Sequence, residues 1–254
     1  AAIKAGLSDT QIASIIERSE ALARRQAQED DDSVLPRQTQ ADVPARMPHP
    51  QCHVEPNGDN DTTLYQTGTK GLVYKQYILP LPDLTATESA LLSHCSSLWT
   101  ELGLGASDYL VVQHRQAATC GSICAFSCLR TVPDVSQLTR GFIALSAKAL
   151  NRHYGAMNSL MLDTLNQVRF DEHNRIRELI GQHRAHREHA VTGSGHQLAV
   201  MAAAASISPL AGYNHRNRGI AGIQALKQLD QRLDQPGEIA VLAQQLESLH
   251  QRLT

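Results

Sequence analysis

Prolines at 36, 44, 48, 50 and 56 most constrain how this chain can fold. Each fixes φ and removes a backbone donor, so the stretch that holds them cannot form a helix interior or a central strand. It reads as an extended connector running to about Asn60. On its N-terminal side, apolar residues recur at Ile12, Ile15, Ile16, Leu22 and Ala23 between Ser8 and Glu29. That periodicity predicts an amphipathic helix capped by Ser8 or Asp9 and stopped at Asp30-Asp31-Asp32. Two regions are therefore expected: a helical arm with its connector over residues 1–45, and one main domain over 46–254.

The totals fit that division. With 254 residues and 42% apolar content, the chain can bury one sizeable core. Its 23 basic and 25 acidic side chains leave a formal charge of −2. No overall field would gather nucleic acid or an anionic membrane, so neither is expected as a partner. No apolar run approaches the ~20 residues that cross a bilayer. Five cysteines, an odd number beside an ample aliphatic content, do not read as a disulfide framework and favour a reducing compartment.

Beyond the connector, Gly71 to Leu81 is rich in β-formers and reads as a strand closed by Pro80 and Pro82. A helix capped by Thr85 or Thr87 follows, with Glu88 in its first turn and Leu91, Leu92, Cys95, Leu98, Trp99 and Leu102 on its apolar face. Ser107 precedes a second helix to Thr119, and Ile123–Leu129 and Phe142–Leu145 supply two more strands. Asn151 is read as the cap of a helix through Met157, Leu160, Met161, Leu165 and Val168. A long helix runs from Asp171 to about Ala205 with a break at Gly193-Ser194-Gly195. Ser208-Pro209 opens another, Ile220–Leu229 continues the helical pattern, and Glu238–Leu253 makes the last. The fold class expected is α+β, with helices layered on a largely antiparallel sheet and a linker helix in front.

Several residue groups come close to a chemical signature and miss it. The long helix carries His183, His186, Glu188 and His189. An inverted zinc motif needs two imidazoles four apart with a carboxylate beside the second, to take a proton from metal-bound water. Here the last two histidines are three apart, and Arg184 and Arg187 bring cations to the place a divalent ion would occupy. The group reads as a solvated Arg/Glu/His face, with His183 near the stripe of Ile176, Leu179 and Ile180. Cys120, Cys124 and Cys128 are evenly spaced by four, whereas thiolate ligation needs a loop that wraps the ion. Alternation instead puts Cys124, Phe126 and Cys128 on the core face of a strand. Ser194 and His196 lack an orienting acid, and the glycines around Ser194 read as a hinge. His215-Arg216-Asn217-Arg218 reads as a small basic surface turn.

A longer pattern does carry meaning. Ser19-Glu20-Ala21-Leu22-Ala23, Arg25-Gln26-Ala27-Gln28, Asp30-Asp31-Asp32-Ser33-Val34-Leu35-Pro36 and Ala41-Asp42-Val43-Pro44 occur in succession. Downstream come Thr69-Lys70-Gly71-Leu72-Val73-Tyr74, Leu79-Pro80-Leu81-Pro82, Glu101-Leu102-Gly103 with Asp108-Tyr109, Val191-Thr192-Gly193-Ser194-Gly195-His196, and Gly219-Ile220-Ala221-Gly222-Ile223. In order and spacing the chain resembles the presequence-protease-like zinc metallopeptidases of the pitrilysin/insulinase superfamily. The likeness covers nearly its whole length. Two departures stand out: Lys70 where the family favours Asn in Thr-Asn-Gly, and Cys120-Gly121-Ser122-Ile123 where it favours Thr-Gly-Gly-Ile.

The resemblance implies a shell of two halves, each with two related α/β domains, joined by a helical hairpin. Residues 1–45 would be the later arm of that hairpin and 46–254 the third, peptidase-associated domain, helping to wall a chamber where unstructured peptides are cut. Catalytic, cofactor-binding and metal residues are all expected to be none in this chain. By the resemblance, zinc belongs to the parent enzyme; its ligands and general-base glutamate would lie before Ala1, and the assisting arginine and tyrosine after Thr254. Expected partners are extended peptide substrates and the N-terminal catalytic half of the same protein, in a cytoplasmic setting. The opening Ala1-Ala2-Ile3-Lys4, without an initiator methionine, and the close inside a helical pattern are read as marks of a piece of something longer. The competing reading is a stand-alone helical interaction module or an inactive peptidase relative.

Overall fold

The computed structural model describes residues 7–29, 31–47, 49–57 and 60–254. Ala1 to Lys4, Asp30 and Pro48 lie outside the described residues. The chain divides into two compact units, Ala1–Thr67 and Gly68–Thr254.

The first unit opens with helix α1, Asp9–Ala27. Ser8 caps it by accepting the Gln11 amide at 3.3 Å, and the Gln11 side chain returns to the Ser8 amide at 2.9 Å. That reciprocal pair satisfies two of the amide donors every helix leaves orphaned at its start. None of the residues of α1 is buried. The connector then departs from expectation: Gln51–Asn57 (β1) and Asn60–Gln66 (β2) pair as an antiparallel hairpin. Pro56 stands inside β1 opposite Asp61. A two-stranded ribbon leaves each strand one unpaired edge, which is where a proline can sit without costing a ladder bond. The β-forming run Thr62-Thr63-Leu64-Tyr65 supplies the partner strand.

The second unit is built on a three-stranded antiparallel sheet in the order β3-β5-β4. Its strands are β3 (Leu72–Pro80), β4 (Ser122–Val132) and β5 (Val135–Leu150), so the strand expected at Phe142–Leu145 is the middle of a much longer one. β3 is entered through Thr69-Lys70-Gly71-Leu72, where the Leu72 amide donates to the Thr69 carbonyl at 3.1 Å. β4 turns into β5 through Pro133-Asp134, and Asp134 takes φ 66°.

Between β3 and β4 lie α2 (Ala86–Leu98) and α3 (Tyr109–Thr119). Thr85 caps α2 with Glu88 closing the box, while α3 is capped by Asp108 and not by the expected Ser107. The Ser107 backbone is instead engaged in a reciprocal pair with Leu104, both bonds 3.0 Å. After β5 come a 3₁₀ turn at Asn151–His153, which displaces the predicted Asn151 cap, and helix α4, Tyr154–Asn166. The long helix is two helices, α5 (His173–Gly193) and α6 (Gly195–Ala204), broken at Ser194 as the glycine pair suggests. Then follow α7 (Pro209–Arg218), α8 (Ile220–Arg232) and α9 (Glu238–Leu253). The α+β class read from the sequence is what the chain adopts.

The core lies on one face of the sheet. Val73, Tyr77, Leu79, Ala125, Ile143, Leu145, Ala147 and Ala149 pack with Leu92, Leu98, Trp99, Met157, Met161, Ile176, Ile180 and Leu246 from the helices. Each large side chain removed from water in this way contributes about 1.5–3 kcal/mol. The phase of β4 corrects the sequence reading. Ala125 and Ser127 are buried, whereas Cys124 and Phe126 are exposed and Cys128 is half-buried. The core-facing positions on β4 lie against α2, where close approach selects small residues, so the bulkier set turns outward.

Candidate functional site

The near-zinc segment sits on α5, where its members are engaged separately. Glu188, which would be the proton acceptor of a hydrolytic site, is held by Arg184 at 3.2 Å and by Lys227 of α8 at 3.4 Å. His186 and His189 are not drawn together: His186 lines a cleft on the α2 side of the helix, whereas His189 does not. Among the described residues no group of three His, Cys, Asp or Glu side chains is disposed to hold a metal ion. These residues do not fit a catalytic zinc, since the carboxylate is committed to two cations and Arg187 stands between the histidines.

His183 has a different partner, which sequence reasoning missed. It faces His94 of α2, with ring centroids 6.4 Å apart and planes at 26°. His94 sits next to core residue Cys95 and gave no periodic signal of its own; only the packing of α2 on α5 brings it to His183. Burial lowers the pKa of both imidazoles, His94 to about 4, and each also feels the positive charge of Arg187.

The other candidates stay apart. Cys120 caps the C-terminus of α3, and Cys124 and Cys128 lie on β4, all five cysteines being free thiols. Burial raises the Cys120 thiol above its ordinary value, which keeps it protonated and poorly nucleophilic. His196 is exposed in the first turn of α6, and no hydrogen bond joins it to Ser194 among the described residues. His215 to Arg218 form the last turn of α7, helical rather than a loop turn. An open groove of about 460 Å³ lies between residues 168–173 and α9, where Arg169 is paired with Asp171 at 2.9 Å.

The motif residues Glu101, Gly103 and Tyr109 do converge, on the start of α5. Glu172 accepts the Gly103 amide at 2.6 Å and the Tyr109 amide at 3.0 Å, the latter at the N-terminus of α3, where a carboxylate also meets the helix dipole. Arg175, one turn on, pairs with Glu101 at 3.0 Å and lies 4.6 Å from the centre of the Tyr109 ring. This pattern is a structural joint, which explains its spacing without a catalytic role.

The remaining surface of note is the face of the sheet opposite the core. In register across β3, β5 and β4 it presents Tyr74–Lys148–Ser122, Gln76–Ser146–Cys124, Ile78–Ala144–Phe126 and Pro80–Phe142–Cys128. Tyr74 is 61% exposed, Ile78 59% and Phe126 41%. Alternating apolar and hydrogen-bonding rows on a solvent-facing sheet can hold an extended, non-uniform chain, and the outer edges of β3 and β4 offer backbone groups beside it.

The sequence profile of the family described as "Peptidase M-16C associated" matches residues 1–229. The chain is also similar to "Presequence protease, mitochondrial" of Danio rerio, 25% identical over 223 residues that make 87% of this chain and 22% of that protein. Its counterpart in Xenopus tropicalis is 23% identical over 225 residues, 88% of this chain and again 22% of the relative. The chain therefore spans about a fifth of the length of these relatives. No helix among the described residues is long and apolar enough to cross a membrane. With a profile match over most of its length and a helix-backed sheet on which no catalytic constellation is found among the described residues, the chain belongs to this peptidase-associated family.

Proposed function

We propose that this chain is a non-catalytic part of a zinc metalloendopeptidase that degrades unstructured peptides, and that it forms part of the wall around the substrate. The observation that carries the reading is the alignment with presequence proteases across most of this chain but only 22% of theirs. The open sheet face with Tyr74, Ile78 and Phe126 supplies the peptide-facing surface, and the zinc ligands belong to the other half of the same protein. Free thiols suit a reducing interior, which the cytoplasm expected from the sequence provides, as does the mitochondrion in the relatives' names.

The test uses the full-length product of the gene that encodes this chain. It is expected to cleave a flexible peptide of a few tens of residues in a chelator-sensitive way, while the 254-residue chain alone cleaves none. Peptide turnover by the isolated chain, or undiminished turnover by a product lacking these residues, overturns the reading.

A second reading, a stand-alone interaction module, is favoured by one observation. Ile12, Ile15, Ile16 and Leu22 of α1 are 38–58% exposed along one helix face. The pair Ile15→Glu/Ile16→Glu separates the readings. Lowered peptidase activity of the full-length product supports the first; unchanged activity with loss of binding to a separate protein supports the second.

A further inference from the structure

Helices α2, α5, α7 and α8 enclose a cleft of about 170 Å³. His94 and Ser97 enter it from α2, His183, His186 and Arg187 from α5, and Asn217 from α7. Arg187 is half-buried here, and its guanidinium donates to the Arg218 carbonyl at 3.5 Å. Among the described residues no carboxylate pairs with it. The nearby acids are already committed: Glu101 to Arg175 at 3.0 Å, Glu188 to Arg184 and Lys227, and Asp230 to Arg177 and to Arg184 at 2.8 Å.

We propose that this cleft is a binding site for a compact phosphate-type oxyanion, held by the Arg187 guanidinium between the His94 and His183 rings. A buried cation without a counter-charge is costly, and a structure that keeps one has a place for an anion. A guanidinium presents paired N–H donors that match a phosphoryl group, and protonated imidazoles and a serine hydroxyl add further donors. At ~30 Å³ per water, the cleft holds about five or six water-sized volumes, enough for a tetrahedral anion but not for a nucleotide.

The electrostatics agree with the geometry. Burial, then repulsion by Arg218, lowers the Arg187 pKa. Burial, then repulsion by His183 and Arg187, lowers that of His94. His183 is lowered by burial, Arg187 and His186, and only Glu101 opposes this. A bound oxyanion counters all of these repulsions at once, so binding takes up protons and tightens as the pH falls from about 7.5 to about 6. A divalent cation in the same place would meet Arg187 at close quarters.

The experiment titrates the chain with inorganic phosphate and with methyl phosphate at about pH 6.5, near the ordinary imidazole pKa, following the imidazole NMR signals and the melting temperature. Acetate serves as the carboxylate comparison, and Arg187→Gln, His94→Gln and the surface control Arg130→Gln are run alongside. Expected are saturable shifts of the His94 and His183 signals, a phosphate-dependent rise in melting temperature, and association weakened roughly tenfold or more in Arg187→Gln and His94→Gln. Arg130→Gln should bind like the unaltered chain. Methyl phosphate binding as tightly as phosphate would identify a phosphoester as the source, and much weaker binding would identify the free anion; either supports the site. Absence of saturable shifts, equal binding in Arg187→Gln, or acetate binding as tightly as phosphate overturns it. Because Arg187→Gln removes an unpaired charge, it should melt no lower than the unaltered chain without phosphate, which separates lost binding from lost folding. None of these readouts depends on peptidase activity.

Discussion

The Trp99 indole meets the His250 imidazole edge to face, with ring centroids 4.8 Å apart and planes at 85°. Phe170 closes a third side at 5.5 Å, and His250 is only 5% exposed. Neither imidazole nitrogen has a hydrogen-bond partner among the described residues. Burial lowers the pKa to about 4, against a smaller opposing pull from the Leu165 backbone. His250 is neutral in the folded chain at neutral pH. The unfolded chain binds its proton near pH 6.5, so between about 6.5 and 4 it holds more protons than the folded one and stability falls with pH. A loss of about 2–3 kcal/mol is expected from His250 across that window, with His94 adding in the same direction. Glu88, lowered to about 2 by the Thr85 amide and then by Arg252, titrates below most of this window. Urea unfolding at about pH 7 and about pH 4.5 measures the loss, and His250→Leu should flatten it. An equally steep dependence in that variant would refute the assignment.

Asp230 joins α8 to α5 through two guanidinia. It pairs with Arg177 and, through Nε at 2.8 Å, with Arg184, a contact that is ionic rather than a well-aligned hydrogen bond. Its own side chain is 10% exposed, while those of the arginines are about one-third exposed. Asp230→Asn leaves two cations facing each other with only peripheral screening. We expect a loss of about 2–4 kcal/mol in urea unfolding, below the upper end for a fully buried pair because the arginines reach water. Adding Arg177→Met should recover part of it; no recovery would place the damage in packing rather than charge.

Lys70 and Gly71 both hold positive φ, 51° and 84°, at the two central positions of the turn into β3. Such a turn favours Asn-Gly, because asparagine tolerates the left-handed region and a lysine side chain gains no local hydrogen bond there. The departure from the family's Thr-Asn-Gly is thus a strained residue at a strand entrance. Lys70→Asn should stabilise the chain by about 0.5–1 kcal/mol, read as a higher urea midpoint at unchanged slope.

Legibility followed the strength of local signals. Thr85 with Glu88, Ser208 before Pro209 and the bounds of α9 could be read because capping chemistry and 3.6-residue periodicity are local properties. The hairpin at 51–66 was hidden by Pro50 and Pro56, since a proline argues against a strand unless its unpaired edge is known. The phase of β4 was misread because hydrophobicity favours Phe126 over Ala125 for the core, and only the position of α2 makes the smaller residue the right one. In the candidate site, the failure of His186, Glu188 and His189 as metal ligands followed from spacing and charge. The pairing of His94 with His183 depends on two helices far apart in sequence and had no local trace.

Gly222 marks where α8 passes the end of α7. A β-carbon there would stand 2.5 Å from the Asn217 carbonyl carbon and 2.6 Å from its oxygen, both backbone atoms that cannot swing away. Its φ is not in the left-handed region, so the requirement is for space alone. The same motif places Gly219 at the junction, with its amide donating to the Asn214 and His215 carbonyls at 3.0 and 3.1 Å, which fixes how closely the two helices turn. Gly222→Ala must therefore separate α7 from α8. In an open helix this exchange would stabilise by up to about 1 kcal/mol; here the clash reverses the sign, and a net loss of about 1–3 kcal/mol is expected. Because Asn217 and Gly222 also line the four-helix cleft, the variant should widen it and weaken phosphate association while leaving the far-UV spectrum unchanged. A Gly222→Ala chain as stable as the original would mean that the two helices do not approach as closely in solution.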